Sequence, residues 1–114
     1  MNWTPLQTTE QVEEIIVRSQ TTPQVIFKHS TRCSISSVAK SRLERAEAPE
    51  GIDFHYLDLI SYRSVSNTIA ERFGIYHESP QILLIKDGRC IYNESHTAID
   101  MEELREQLNW FIKS

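Results

Sequence analysis

Gln24-Val25-Ile26-Phe27-Lys28-His29-Ser30-Thr31-Arg32-Cys33-Ser34-Ile35-Ser36 passes from an apolar run through a polar loop into a segment of helical spacing. The run over 24–29 follows Pro23 and reads as a short strand, apolar enough for a central position covered on both faces. Beyond the loop, residues 36–46 lack Gly and Pro and place Val38, Ala39, Leu43 and Ala46 at helical intervals, which predicts a helix. Upstream, Thr8 and Gln11 have capping-box spacing, and Val12, Ile15 and Ile16 mark one face of a helix over 9–19.

Downstream, Pro49-Glu50-Gly51 is a turn, and Ile52, Phe54, Tyr56, Leu57 and Leu59 form a second strand. Val65, Ile69, Ala70 and Phe73 share a helical face that ends at Gly74, where a left-handed cap is wanted. Lys86-Asp87-Gly88 separates apolar runs at 80–85 and 89–92, a strong hairpin signal. Asp100 and Glu103 repeat the capping-box spacing before a last helix striped by Leu104, Leu108, Phe111 and Ile112. Glu102, Glu103 and Glu106 are its solvated face. The predicted order is αβαβαββα: an α/β fold with a four-stranded mixed sheet and helices on both faces. Its first two strands are expected parallel and its hairpin antiparallel. Such sheets bind ligands beyond the carboxyl ends of their parallel strands, and His29 is one such end.

The chain has 114 residues, 39% hydrophobic and 25% charged, with three glycines and four prolines, which describes one ordinary domain over 1–114. A net charge of -4 offers no attraction to phosphate backbones or anionic membranes, so neither nucleic acid nor membrane is an expected partner. No basic-then-apolar leader and no run of 18 apolar residues is present, so a cytoplasmic location is expected, with a monomer as the default.

Two cysteines are too few for a disulfide framework, so their settings decide their roles. Cys33 falls at the start of the second helix, where free N–H groups and the helix dipole stabilise a thiolate, and Arg32 is the adjacent cation. Such settings lower a cysteine pKa from about 8.5 to roughly 3.5–7.5. Cys33 is therefore the candidate nucleophile, with Arg32 and Ser36 as thiolate-stabilising residues. Cys90, just past the hairpin turn, is expected to be a packed thiol at the far end of the sheet, roughly 15 Å or more from Cys33 and beyond disulfide reach. Ser36 stands where a two-cysteine redox motif would carry its resolving thiol, so a monothiol mechanism is expected.

Residues 27–36, then Tyr56-Leu57-Asp58-Leu59-Ile60 and His77-Glu78-Ser79-Pro80-Gln81, resemble the monothiol bacilliredoxins over nearly the whole chain. Residues 73–75, Ser79-Pro80 and 83–88 are similar to the thioredoxin stretch that bears its cis-proline. The resemblance implies a thioredoxin-like fold and removal of bacillithiol from mixed disulfides with protein cysteines. Bacillithiol would be the thiol co-substrate, bacillithiolated proteins the clients, and no bound cofactor or metal is implied. It also implies that Ser79 presents its backbone to the thiol ligand, with Pro80 in cis opposite Cys33, and that His96 and Thr97 lie in the thiol-binding region. His96 can equally be a solvated loop residue, and it lacks metal-type partners at helical spacing. Ser34 departs from the family, which often has proline there. Proline lacks the N–H that could solvate the thiolate. Lys28 and His29 sit at a strand end that can point one of them to solvent, while His55 and His77 read as surface or packing residues. Two other classes are an iron–sulfur carrier, disfavoured by the missing glycine after Cys33, and a redox-inactive interaction protein on the same fold.

Overall fold

A computed structural model describes residues 2–30 and 34–113, without the side chains of 112 and 113. Five strands, β1 (Trp3–Pro5), β2 (Gln24–His29), β3 (Asp53–Asp58), β4 (Gln81–Lys86) and β5 (Arg89–Ser95), form one sheet in the order β1-β3-β2-β4-β5. The first three are parallel, β4 is antiparallel to β2, and β5 is antiparallel to β4. Helices α1 (Thr9–Arg18) and α3 (Arg63–Phe73) cover one face, packing Val12, Ile15, Val65 and Ile69 on Ile26, Leu57, Leu83 and Ile85. Helices α2 (Ser34–Arg45) and α4 (Met101–Lys113) cover the other, packing Ala39, Leu43, Leu104 and Leu108 on Val25, Phe27, Phe54, Ile82 and Leu84.

The expected four-stranded sheet and αβαβαββα order are corrected to five strands, because β1 pairs Trp3, Thr4 and Pro5 with Phe54, His55 and Tyr56. Three residues at a sheet edge are too short to show alternation, and Pro5 is tolerated there because an edge strand can spare an N–H. Strand β5 runs on to Ser95, well past the expected Tyr92. Helix α2 starts at Ser34, two residues before the expected 36. Val38, expected on its buried stripe, is 57% exposed, and the inward face is Ser36, Ala39 and Leu43.

The local punctuation follows its chemistry. The Thr8 hydroxyl accepts from Gln11 N while the Gln11 side chain accepts from Thr8 N, closing the capping box on α1. Gly74 ends α3 at φ 63°, a conformation glycine adopts without the clash of a Cβ. Asp87 and Gly88 both take positive φ at the hairpin tip. In β5, Tyr92 opposes Leu84 while Cys90 opposes Ile85, so Ile91 is bulged out of the ladder. That extra residue turns Cys90 onto the α1/α3 face, where it packs beside Ile85.

Candidate functional site

The site is built where β2 ends, β4 begins and β5 ends. Register pairs Lys28 with Gln81 and Gln81 with Ser95, so residue 29, the residue before Gln81 and the residues after Ser95 lie along one end of the sheet. Arg32 and Cys33 lie outside the described residues, between the end of β2 at His29 and the start of α2 at Ser34. The connection that carries them leaves β2 at this end.

The Ser79–Pro80 bond is cis. The Pro80 carbonyl accepts from His96 N–H at 3.0 Å, which ties the start of β4 to the 3-10 turn His96–Ala98. His96 itself adopts φ 58°, a left-handed conformation that costs a non-glycine residue roughly 1 kcal/mol. Its Nε2 lies 3.8 Å from Glu78 Oε2. The Thr97 carbonyl accepts from Arg42 Nη1 of α2 at 3.3 Å. Between α2 and this turn opens a cleft of about 150 Å³ lined by Ser34, Ile35, Val38, Ala39, Arg42, His96 and Thr97. Three of the expected ligand-binding residues, Pro80, His96 and Thr97, are thus joined directly to one another or to α2. Ser79 lies beside them, half-buried, its Oγ without a hydrogen-bond partner among the described residues.

Ser36 is buried, and its Oγ accepts from Ser30 N–H at 3.4 Å. That bond fastens the loop before Cys33 to the first turn of α2 and leaves the hydroxyl proton able to donate. Lys28 and His29, of which one was expected to meet solvent, are both buried. His29 stacks obliquely between Phe27 and Tyr56. Burial, then the Lys40 charge, lowers its pKa, so the ring is neutral near pH 7. His55 is a packing residue at the opposite end, bonded at 2.7 Å to Gln24 Oε1 and held by burial at a pKa of about 4.

Cys90 sits opposite Ile85, which in turn opposes Gln24, the first residue of β2. The connection carrying Cys33 leaves from the other end of that strand. Five residue steps separate the two ends, roughly 16 Å. The Cys90 thiol donates to the Tyr92 carbonyl at 3.3 Å, and burial raises its pKa, which disfavours the thiolate.

Arg42, Ile35 and the inward turn of Lys28 were not singled out by sequence reasoning. A signal for the first two was present: Ile35, Val38 and Arg42 recur at helical spacing, a second stripe on α2 beside Ala39 and Leu43. No helix among the described residues is long and apolar enough to cross a membrane.

The family described as monothiol bacilliredoxin BrxC matches residues 4–104. A solved structure described as a candidate oxidoreductase with a thioredoxin fold is 28% identical, with 91% of each chain covered and a TM-score of 0.77. The thioredoxin of Trypanosoma brucei brucei superposes with a TM-score of 0.77 at 14% identity, covering 99% of this chain and 93% of that one. Fasciola hepatica thioredoxin does so at 0.70 and 19% identity, covering 93% and 96%. These last two speak to the fold alone.

Proposed function

We propose, from the premise that the chain belongs to the monothiol bacilliredoxin family and is a thiol–disulfide oxidoreductase of thioredoxin fold, that its reaction is removal of bacillithiol from protein mixed disulfides through Cys33. The Cys33 thiolate attacks the bacillithiol sulfur of the capped client. A new Cys33–bacillithiol disulfide forms, the client's S–S bond breaks, and the client sulfur departs as a thiolate that takes up a proton. A second thiol molecule then attacks the mixed disulfide, leaves with the bacillithiol as a disulfide, and returns Cys33 as thiolate. The net change is an exchange: the client regains its thiol, and the second thiol takes its place in a disulfide with bacillithiol. Arg32 and the first-turn N–H groups of α2 stabilise the thiolate, and the Ser36 hydroxyl can donate to it. Ser79, Pro80, His96 and Thr97 receive the bacillithiol moiety. The chemistry needs no bound cofactor, suits a reducing cytoplasm, and is available to a monomer.

The observation that supports this reading best is the cleft in which the first turn of α2 meets His96 and Thr97, with Pro80 bonded to His96 beside it. Its test is intact mass spectrometry after mixing with bacillithiolated and glutathionylated test proteins. The expected outcome is a bacillithiol adduct on Cys33 and faster uncapping of the bacillithiolated client. Cys33→Ser is expected to abolish uncapping, and Cys90→Ser to leave it near the unmodified rate, because Cys90 sits at the other end of β2. A mixed disulfide that accumulates only in the Cys90 variant would overturn the monothiol reading.

A further inference from the structure

Lysine is almost never fully buried unless paired. Lys28 is fully buried in the middle of the sheet, flanked by Leu57 of β3 and Gln81 of β4. Its Nζ lies 3.4 Å from Nδ1 of His77, and the same Nδ1 lies 3.2 Å from Ser66 Oγ of α3. An ammonium has no lone pair, so Nδ1 must be the acceptor, which fixes His77 as the neutral tautomer with its proton on Nε2. Burial, then the charges of Lys28 and Arg63, lowers the His77 pKa against the opposing pull of Glu78, in agreement with a neutral ring. On the same sheet face Gln81 Nε2 donates to the Tyr76 carbonyl at 3.0 Å, while Gln81 Oε1 is buried with no partner among the described residues.

Residues 75–79 connect Gly74 to Pro80 and include no helix or strand. Among the described residues, two side chains of adjacent strands reach up to that loop: Lys28 at His77 and Gln81 at Tyr76. Lys28 also lies on the strand that runs directly into Ser30–Cys33. One buried side chain thus links the chain leading to the nucleophile with the loop that carries Ser79 and Pro80.

We infer that Lys28 is a positioning residue for the exchange site: its buried ammonium, donated to His77, holds the 76–79 loop in register with the strand that delivers Cys33. The assignment rests on the proposed exchange at Cys33, and it concerns a side chain that touches no substrate. The other ionisable groups acting on the pair are Cys90 of β5, Arg63 of α3 and Glu78 of the loop.

The test compares Lys28→Met, His77→Leu, His77→Asn and the Lys28→Met/His77→Leu double variant, using uncapping of a bacillithiolated test protein. Lys28→Met and His77→Leu are each expected to lower kcat/KM by at least about tenfold, as for a lost bond to a charged group. Neither should lower the unfolding temperature by a matching amount. The double variant should be no worse than either single one, and His77→Asn, whose amide oxygen can accept in place of Nδ1, should restore much of the rate. Nitrogen NMR of His77 supplies a readout independent of activity. The Nε2–H tautomer should dominate in the unmodified protein and give way to a tautomer mixture in Lys28→Met, with faster amide exchange over 76–79. Additive losses, or an unchanged His77 tautomer and loop exchange in Lys28→Met, would overturn the assignment. If Lys28→Met does not fold, His77→Leu and the His77 signal of the unmodified protein still decide it. Should the unmodified protein uncap nothing, the functional reading falls, while the NMR arm still judges Lys28.

Discussion

A buried ammonium makes stability depend on pH in a direction opposite to most lysines. Burial lowers the Lys28 pKa from 10.5 to about 8, partly offset by its electrostatic interaction with Cys90. Between those values the unfolded chain binds more protons than the folded one, so this group's contribution to stability rises with pH through that window. Below about pH 8 the full cost of keeping the ammonium inside is present, on the order of 3 kcal/mol at about 1.4 kcal/mol per pH unit. Lys28→Met is therefore expected to gain stability over the unmodified protein at pH 7, and the gap should narrow towards pH 10 in urea unfolding. Cys90 and Tyr92, both pushed up by burial, act in the opposite alkaline sense, but they are present in both proteins and largely cancel in the difference. A gap independent of pH would contradict a charged Lys28. His55 provides the acid counterpart. Its folded pKa of about 4 lies below the ordinary 6.5, so the stability it contributes is present above 6.5 and is lost as pH falls towards 4. Burial lowers His29 and His77 in the same direction. Unfolding midpoints between pH 7 and 4.5 should fall less steeply in His55→Gln, which keeps a donor for Gln24 but cannot titrate.

At the level of elements, α2 does two jobs with two stripes. Ala39 and Leu43 are buried against Phe27, Phe54 and Ile82, whereas Ile35, Val38 and Arg42 face the cleft. Leu43→Ala should cost roughly 2–5 kcal/mol in chemical unfolding, as buried leucines do. Val38→Ala should change stability by under about 1 kcal/mol while weakening client uncapping, which separates packing from binding on one helix. Thr8→Ala, which opens the capping box on α1, is expected to cost about 1 kcal/mol. Caps and hairpin were legible because each depends on two or three residues in fixed order, as with Thr8 and Gln11, Asp87 and Gly88, or Gly74. The faces of α2 were less so, since Val38 satisfies helical periodicity for either stripe, and only the placement of the 3-10 turn decides which stripe meets the sheet. Strand β1 escaped notice because its partner, β3, lies some fifty residues away, and its pairing is a tertiary fact.

Across the whole molecule, the parallel order of β2 and β3 and the antiparallel hairpin follow from element spacing. They make the connection that leaves β2 at His29 start at one end of the sheet and put Cys90 at the other. The resemblance pointed to Ser79, Pro80, His96 and Thr97, of which His96 and Thr97 line the cleft and Pro80 is bonded to His96 beside it. The Lys28–His77 link was hidden because a lysine and a histidine 49 positions apart carry no signal until the sheet aligns them. The missed strand has its own consequence. Trp3 of β1 stacks 5.7 Å from Phe27 and meets Phe54 edge-on, while its Nε1 donates to Glu44 of α2 at 3.0 Å. The other tryptophan, Trp110, is 69% exposed. The chain therefore emits from one indole packed against the core and hydrogen-bonded to α2, and from one open to quenchers. In a Trp110→Phe variant, indole fluorescence comes from Trp3 alone and reports its contacts with Phe27, Phe54 and Glu44 of α2. A mixed disulfide formed at Cys33 that displaces the helix would lengthen the Glu44 bond and shift the emission colour, allowing each turnover to be followed without a label.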